Sequence, residues 1–503
     1  MTTLLDYLDA AAAPGSAAAE VAVAGTPADA DVPLSYPELE RRAGTLAADL
    51  QQAGAGPGER VGILLEGGTD TVVAVWAVLK TGAAYVPVDP ASPAARRDAI
   101  LARIKPCAVI TDGTAAVDGT DTVDVRRARR TPVTPTPVTV RPEDPAYVLH
   151  TSGSTGTPKG VVLTHRNATA FADWAVDTFA LRATDRVAGH APIHFDLSTF
   201  DLFATAKAGA TLLPVPAAAR VLPGELAAFL RQAQATVLYC VPSALTMLSR
   251  SAPEGSLDGL RTVLFAGEVC PLSTLRRMYE LAPQARYANL YGPTETNVCT
   301  YHEIGPDDLD RPALPIGRPI TPETLVTVMA SPEREAEPGE PGELYVCGPT
   351  VALGYWDDPA QTAQRFTSRR SADGRAYRTG DIVVRDPDGL LQFRGRLDRQ
   401  VKTRGHRVEL DEVEGVLRSH PAVGEAAVLA VPDEAISNRL VAAVVTSRPT
   451  TPAQLRRVCA ASLPSYALPM IHVVRALPRT SNGKVDRDAL AATLASGARE
   501  EPR

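Results

Sequence analysis

The chain has 503 residues and a net charge of -7, and 45% of its residues are hydrophobic. This length predicts two or three domains with large cores, and the negative charge argues against general nucleic-acid binding, which favours a basic surface. The longest apolar run, Val72 to Leu79, is too short to span a membrane, and the acidic start MTTLLDYLDA does not suit a signal peptide. We therefore expect a cytoplasmic protein that binds neither nucleic acid nor membrane.

The cysteines are scattered through the sequence. No two of them form a CxxC pair, so the sequence predicts neither a zinc site nor a disulfide framework. We expect reduced, mostly buried thiols at all six positions, which are 107, 240, 270, 299, 347 and 459.

Helix-like and strand-like segments alternate from the N-terminus. After an Ala-rich lead, a helical apolar period begins at Ser35 and ends at Gly54. RVGILLEGG then predicts a strand, and DTVVAVWAVLKTG predicts a helix that Gly82 closes. AYVPVDP and AVITD predict short buried strands, whereas residues 115–144 are typical of an irregular connector.

The alternation resumes at Tyr147 and continues to about Ile304, which predicts parallel α/β layers. Residues 331–342 predict an acidic loop between two strands. Beyond Arg396 the pattern predicts a smaller α+β unit. We predict an α/β N-terminal domain of layered sheets with helices and a small β subdomain, residues 1–397, and an α+β C-terminal domain, residues 398–503.

A segment rich in Gly, Ser and Thr follows the strand-like YVLH. TSGSTGTPKG (151–160) combines glycines, hydroxyl side chains and one lysine, and freed backbone amides, hydroxyl donors and a cation suit a polyphosphate. The spacing differs from that of the Walker loop. A flexible linker would have a similar composition, but the preceding strand and the Pro-Lys-Gly ending favour a binding site.

TSGSTGTPKG resembles the signature loop of the acyl-adenylate-forming (ANL) superfamily, which includes acyl-CoA synthetases, luciferases and peptide-synthetase adenylation domains. NLYGPTET, GELYVCGPTVALGYW, YRTGD, FRGRLDRQVKTRGHRVEL and LPRTSNGKVDRDAL resemble later motifs of the family, in the same order. The resemblance implies a two-domain enzyme that uses ATP and Mg²⁺. The ATP-binding residues it implies are Thr151, Ser152, Gly153, Ser154, Thr155, Gly156, Lys159, Asn289, Tyr291, Gly292, Thr294, Asp381 and Arg396.

The resemblance also implies roles for these residues. Tyr291 would stack on adenine, with Asn289 as a hydrogen-bond partner, and Thr294 would touch the α-phosphate. Glu295 would bind Mg²⁺, which takes few protein carboxylates. Asp381 would accept the ribose hydroxyls, and Arg396 would make a second nucleotide contact. Tyr291 and Asp381 could instead be ordinary turn residues.

Lys484, in the sequence NGK, is the candidate catalytic cation, with Thr151 and Glu295 as its catalytic partners. Attack of a carboxylate on a phosphate brings two anions together, and a mobile cation would stabilise that transition state. Lys484 could instead be a solvated lysine in an Asn-Gly turn. The resemblance implies that the C-terminal domain is mobile, that Asp398 is its hinge, and that Lys402 and Gly405 belong to a thiol-transfer face.

HFDLSTFDLF (194–203) indicates the substrate class. Asp196 resembles the aspartate with which adenylation domains hold an α-ammonium group, although it could instead cap a helix together with Ser198. His194 is either a gate or a packing residue. The remaining substrate-binding positions implied by the resemblance are Leu197, Phe200, Tyr239, Leu264, Ala266, Leu290, Val298 and Cys299.

This apolar lining would leave a charged side chain without a partner, so a small aliphatic or cyclic amino acid fits it. The set is similar to that of stand-alone L-proline activators that load the phosphopantetheine arm of a peptidyl carrier protein before pyrrole formation. Valine or another small residue stays open, because apolar pockets separate single methylenes by only about 1–3 kcal/mol.

Two further functions compete with amino-acid activation. An acyl- or aryl-CoA synthetase would share the fold, but Asp196 argues against it. An inactive scaffold that only binds a carrier protein would not need the full set of catalytic residues, and the presence of Lys159, Glu295, Asp381 and Lys484 argues against it.

Overall fold

The structure is a computed structural model that describes residues 2–25, 33–113, 117, 119–153, 158–222, 224–368, 375–480 and 484–497. Ser154, Thr155 and Gly156 of the predicted phosphate loop lie outside the described residues, as do Asn482 and Gly483.

The strands of the described ranges have these bounds in chain order: β1 (Arg60–Ile63), β2 (Ala84–Pro87), β3 (Ala108–Thr111), β4 (Asp121–Asp124), β5 (Pro145–Thr151), β6 (Lys159–Thr164), β7 (Arg186–Gly189), β8 (Thr211–Pro214), β9 (Val237–Cys240), β10 (Thr262–Ala266), β11 (Arg286–Tyr291), β12 (Thr300–Ile304), β13 (Arg318–Pro319), β14 (Leu325–Ser331), β15 (Arg334–Glu335), β16 (Gly342–Cys347), β17 (Gly354–Tyr355), β18 (Phe366–Ser368), β19 (Arg375–Arg385), β20 (Leu391–Arg396), β21 (Gln400–Thr403), β22 (His406–Glu409), β23 (Val423–Asp433), β24 (Ser437–Thr446) and β25 (Met470–Val473).

The α-helices have these bounds: α1 (Leu4–Ala12), α2 (Tyr36–Gln52), α3 (Thr69–Lys80), α4 (Ala94–Ile104), α5 (His165–Phe179), α6 (Thr205–Ala208), α7 (Ala217–Val221), α8 (Glu225–Gln232), α9 (Pro242–Ser251), α10 (Leu272–Leu281), α11 (Pro359–Arg365), α12 (Leu410–Arg418), α13 (Pro452–Ser462) and α14 (Arg487–Gly497). A π-helical segment, Phe200–Ala204, leads into α6. None of the helices in the described ranges is both long and apolar enough to cross a membrane.

The chain divides into two compact units. The first unit comprises Met1–Pro90, Leu101–His150 and Lys159–Leu397. The second comprises Asp398–Arg503 together with the short segments Ala91–Ile100 and Thr151–Pro158.

Two sheets, each seven-stranded within the described residues, form the body of the first unit. Their strand orders are β17-β6-β5-β2-β1-β3-β4 and β13-β12-β11-β10-β9-β7-β8. Neighbouring strands from β7 to β11 pair in parallel, and β12 and β13 add antiparallel edges. Parallel strands need helices on their faces, and α3 fits this rule because its residues from Thr69 to Leu79 are almost all buried.

An antiparallel sheet follows in the first unit. Its strand order is β15-β14-β16-β19-β18, with β20 paired to β19. This sheet corresponds to the predicted small β subdomain. The α/β body and the α+β second unit agree with the predicted fold class.

The second unit is built on the sheet β23-β24-β25. Buried side chains of α12 and α13 pack on one face, and Leu490 of α14 packs on the other. Glu414 of α12 is 3% exposed, and it accepts hydrogen bonds from Arg399 Nη2 at 2.7 Å and from the Val428 N–H at 2.9 Å. Although burial opposes ionisation, these donors hold the pKa of Glu414 below its usual value.

Several local predictions are confirmed. Ser35 caps α2, its side chain accepting the Glu38 N–H, and α3 ends one residue before the Thr81-Gly82 turn, where Gly82 has φ +79°. All six cysteines are free, and only Cys107 is not fully buried.

Other local predictions are wrong in part. Residues 115–144 include β4, which pairs in parallel with β3 because Val123 supplies a buried apolar position within a polar stretch. Residues 331–342 include β15, paired antiparallel with β14. The Ala-rich lead, for which no element was predicted, includes α1, and Asp6 in its first turn accepts the Thr3 N–H at 2.6 Å.

Candidate active site

The candidate site lies along the strands β9, β10 and β11 of the first unit. These strands pair in parallel, and their register places several predicted residues side by side. Tyr239 is opposite Leu264, and Ala266 is opposite Leu290. Side chains alternate between the faces of a strand. Leu264, Ala266 and Leu290 therefore share one face of the sheet, whereas Asn289 next to Leu290 belongs to the opposite face.

Most of the predicted substrate-binding positions belong to the same buried core. Phe200 and Tyr239 meet edge to face, with ring centroids 5.3 Å apart. Cys299 is also buried, but it packs in a separate cluster with side chains of the antiparallel sheet. The positions that share the large core cluster are Leu197, Phe200, Tyr239, Leu264, Ala266, Leu290 and Val298.

Asp196 lies in the turn before the π-helical segment. Its Oδ2 accepts a hydrogen bond from Thr294 Oγ1 at 2.7 Å, and its backbone carbonyl accepts one from Thr199 Oγ1 at 2.7 Å. Ser198 Oγ donates to the carbonyl of Phe195 at 2.5 Å. The predicted ammonium acceptor is thus tied to the predicted phosphate contact.

Residues 291–299 form a tight loop after β11. The Cys299 N–H donates to the Tyr291 carbonyl at 2.8 Å, which closes the loop. A Cβ at position 292 would lie 1.6 Å from the Asn297 carbonyl oxygen, so only glycine fits there. Asn297, with φ +50°, donates through Nδ2 to Thr199 Oγ1 at 3.3 Å. The loop is therefore fixed against the Asp196 turn.

Glu295 is 1% exposed. Its Oε1 accepts a hydrogen bond from the Tyr355 hydroxyl at 2.7 Å, and that hydroxyl lies 3.3 Å from the Tyr377 hydroxyl. Lys159, also buried, has its Nζ 5.9 Å from the centre of the Tyr355 ring. Tyr355 thus contacts both the predicted magnesium ligand and the predicted phosphate-binding lysine.

Asp381, at 4% exposure, accepts hydrogen bonds from the Tyr291 hydroxyl and from Arg396 Nη1. Burial raises the pKa of Tyr291, and the nearby Asp381 carboxylate raises it further. The Tyr291 hydroxyl therefore keeps its proton. Arg396 Nη2 also donates to the Thr379 carbonyl at 3.1 Å. Asn289 Nδ2 donates to the Pro315 carbonyl at 2.8 Å. The predicted adenine, ribose and second nucleotide contacts therefore meet at the end of β11.

Other predicted residues belong to the second unit. Thr151 ends β5, and Ser152 and Gly153 follow it. Lys484 is exposed, and its carbonyl accepts a hydrogen bond from the Thr480 N–H at 2.8 Å.

The predicted hinge and thiol-transfer residues also belong to the second unit. Asp398 is its first residue after Leu397. Lys402 lies on β21, and Gly405 turns the chain into β22 with φ +79°.

The model of the family described as "AMP-binding enzyme" matches residues 9–356, and that of "AMP-binding enzyme C-terminal domain" matches residues 412–484. The chain belongs to the AMP-binding enzyme family. The predicted membership of the acyl-adenylate-forming superfamily is thereby confirmed.

Two ligases resemble this AMP-binding enzyme over most of their length and most of its own. It is 39% identical over 488 residues to an L-proline--[L-prolyl-carrier protein] ligase of Pseudomonas fluorescens, covering 91% of this chain and 94% of the relative. It is 38% identical over 493 residues to a ligase of the same name from Streptomyces coelicolor, covering 90% and 91%. Holo-PA1221, an NRPS protein with adenylation and PCP domains, has a similar structure, with a TM-score of 0.85, 28% identity and coverage of 98% of this chain and 84% of that one.

A magnesium site in this AMP-binding enzyme needs few protein ligands. Within the described ranges, no group of three or more His, Cys, Asp or Glu side chains is arranged to hold a metal ion. Mg²⁺ takes one or two carboxylates and fills its shell with phosphate oxygens and water. Glu295, a buried carboxylate oriented by Tyr355, fits a magnesium ion that arrives with a nucleotide.

Sequence reasoning missed Tyr355 as a site residue and missed the pairing of Thr294 with Asp196. Tyr355 lies in the GYW of one of the family motifs, but its partner Glu295 is 60 residues away in the chain. The Thr294–Asp196 hydrogen bond spans 98 residues. Neither spacing produces a local pattern, so only the fold reveals these pairs.

Proposed function

We propose that this chain activates a small amino acid, with L-proline favoured, as its aminoacyl-AMP, and transfers it to the phosphopantetheine thiol of a peptidyl carrier protein. The observation that carries the proposal is Asp196, a carboxylate that lies near the buried Tyr239 and directly precedes Leu197, among predicted side-chain positions that are uncharged and mostly apolar. The names of the two full-length relatives support proline and a carrier protein as substrates.

In the first half-reaction, Asp196 holds the α-ammonium group and orients the substrate carboxylate. A carboxylate oxygen attacks the α-phosphorus of ATP, the bond to the bridging oxygen of the β-phosphate breaks, and pyrophosphate leaves. Asp381 fixes the ribose hydroxyls, and Thr294 donates to the α-phosphate. Lys484 supplies the cation between the two reacting anions. Mg²⁺ bound by Glu295 would neutralise phosphate charge.

In the second half-reaction, the thiolate sulfur of the carrier attacks the acyl carbon of the aminoacyl-AMP. The bond from that carbon to the phosphate oxygen breaks, AMP leaves, and a thioester forms. Asp398 is the proposed hinge between the two half-reactions, and Lys402 and Gly405 belong to the face that receives the thiol. The proton of the carrier thiol passes to solvent, so no further reactant is needed.

The predicted side-chain positions favour a small apolar substrate. Phe200 and Tyr239 are less than 2% exposed and in ring contact, so they occupy space that a large side chain would need. Burial raises the pKa of Tyr239, so this residue adds no charge for a charged substrate to pair with.

The test is ATP–pyrophosphate exchange with a panel of amino acids, benzoate and a fatty acid. We expect L-proline to give the highest rate. For Asp196→Ala we expect kcat/KM for the amino acid to fall by about 30-fold or more, because removing one partner of a desolvated charge pair costs roughly 2–5 kcal/mol. Asp258→Ala, at an exposed carboxylate, is the control and should match the parent chain.

Different results of this panel separate the competing functions. A preference for valine would replace proline but keep the reaction, whereas activity with benzoate or the fatty acid alone would identify an acyl- or aryl-CoA synthetase. No exchange with any acid, together with binding to a holo-carrier protein, would identify an inactive scaffold.

A further inference from the structure

We propose that the Thr294 hydroxyl couples amino-acid binding to nucleotide binding, by moving its hydrogen bond from Asp196 to a phosphate oxygen when an α-ammonium group binds Asp196. This inference rests on the proposed function, which assigns Asp196 to the ammonium group and Thr294 to the nucleotide. It makes Thr294 a positioning residue that responds to the substrate.

Two hydrogen bonds connect the loop that carries Thr294 to the turn that carries Asp196. Thr294 Oγ1 donates to Asp196 Oδ2 at 2.7 Å, a hydrogen bond assisted by the charge of the carboxylate. The loop that carries Thr294 is independently fixed to the Asp196 turn through the hydrogen bond from Asn297 Nδ2 to Thr199 Oγ1. The hydroxyl can therefore change its acceptor by rotating its side chain, without movement of either segment.

A hydroxyl has one hydrogen to donate. Thr294 cannot direct it at Asp196 and at a phosphate oxygen together, so the carboxylate and the phosphate compete for this donor. A nucleotide that binds first must take the hydroxyl from Asp196, and this exchange weakens nucleotide binding.

An ammonium group changes the balance because it neutralises the charge of Asp196. The hydrogen bond from Thr294 then loses its charge-assisted advantage, whereas the phosphate keeps its negative charge and becomes the better acceptor. Amino acid and nucleotide should therefore strengthen each other's binding, and by the same factor, since binding coupling is reciprocal. An acid without an α-ammonium group leaves Asp196 charged and should give no such coupling.

The experiment measures dissociation constants of the full chain by calorimetry, with Mg²⁺ and α,β-methylene-ATP as a non-reacting nucleotide. For the parent chain, we expect saturating L-proline to lower the Kd of the nucleotide about 5-fold. Cyclopentanecarboxylate, a des-amino analogue, should not lower it. Thr294→Val, which keeps the side-chain shape without the hydroxyl, should bring the coupling factor close to one, and Thr294→Ser should restore it.

The outcomes are distinguishable. Coupling retained in Thr294→Val, or equal coupling by the des-amino analogue in the parent chain, overturns this inference and leaves the proposed function intact. If no amino acid binds the parent chain, the proposed function itself fails. The comparison of L-proline with cyclopentanecarboxylate uses only the parent chain. It therefore tests the inference even where Thr294→Val does not fold.

Discussion

Glu295, the proposed magnesium ligand, is a buried carboxylate held by a hydrogen bond. A buried carboxylate without donors is costly, and the Tyr355 hydroxyl both satisfies Oε1 and fixes its direction. Side chains that orient metal ligands in this way commonly tune metal affinity. Tyr355 is therefore expected to act on magnesium binding through Glu295.

Tyr355→Phe tests this role. We expect about 1 kcal/mol less stability from the lost hydrogen bond and an apparent Mg²⁺ requirement raised about 10-fold or more. Urea unfolding checks the first effect, and Mg²⁺ titration of nucleotide binding, followed by calorimetry, checks the second.

Tyr287→Phe is the matched control. Tyr287 is 1% exposed and donates to the Met278 carbonyl at 2.8 Å, on the face of the sheet away from the predicted substrate positions. It should lose similar stability and leave the Mg²⁺ dependence unchanged. An equal shift in both variants would contradict a specific role for Tyr355.

The helix α1 is held by hydrogen bonds to His165 and Asp173, and the first of these bonds depends on the protonation state of His165. The Leu4 N–H at the start of this helix donates to His165 Nδ1 at 3.3 Å, and the Tyr7 hydroxyl donates to Asp173 at 2.7 Å. Burial lowers the pKa of His165 to about 4, so Nδ1 stays a hydrogen-bond acceptor at neutral pH.

This pKa predicts a loss of stability in acid. The histidine of the unfolded chain takes up a proton below about pH 6.5, whereas the folded chain resists it until about pH 4. Stability contributed by neutral His165 is thus complete above pH 6.5, falls as the pH drops through this window, and levels off below pH 4. By linkage, the loss between pH 7 and pH 5 is about 2 kcal/mol.

Urea unfolding of the parent chain and of His165→Gln at pH 7 and pH 5 measures this contribution. The pH dependence of the variant should be smaller by that amount. The protection of the α1 amides, relative to their intrinsic exchange rate at each pH, should fall at pH 5 in the parent chain alone. Identical pH dependence in both chains would refute the role of His165.

Elements with a strong local signal were predictable from the sequence. The start of α2 is set by the Ser35 cap and α3 by its continuous apolar run, and both signals come from residues that are close in the sequence. The strand β4 was missed because it has a single buried valine, and its pairing with β3 supplies the rest of its stability. A motif names Glu295 as a candidate site residue, whereas the contacts of Tyr355 and Thr294 with their partners arise only through tertiary folding.

At the scale of the whole molecule, the proposed chemistry draws on both units. Asp196, Glu295 and Asp381 belong to the first unit, and Lys484 belongs to the second. Lys484 is proposed to stabilise the attack of the substrate carboxylate on the α-phosphate. Its loss should therefore slow adenylate formation and not the transfer to the carrier thiol.

Lys484→Ala is therefore expected to slow adenylate formation by about 100-fold or more, because it removes a stabiliser of transition-state charge. Transfer from supplied aminoacyl-AMP to a holo-carrier protein should stay within about 3-fold of the parent rate. Pyrophosphate exchange and thioester formation measure the two steps separately.

Lys402→Ala provides the reciprocal comparison, since it should slow transfer and spare exchange. Equal losses in both half-reactions for Lys484→Ala would show that this lysine supports the fold rather than the first step. An unchanged exchange rate would remove it from the catalytic assignment.

The division of β11 between two faces has a consequence for engineering. Leu290 belongs to the apolar face, whereas Asn289 and Tyr291 belong to the opposite one. Libraries that randomise the proposed pocket positions Leu264, Ala266 and Leu290 are therefore expected to change substrate scope and to leave the proposed nucleotide contacts of Asn289 and Tyr291 in place. In a lineage of such enzymes, new specificities can diversify along one side of a strand while the other side is held constant.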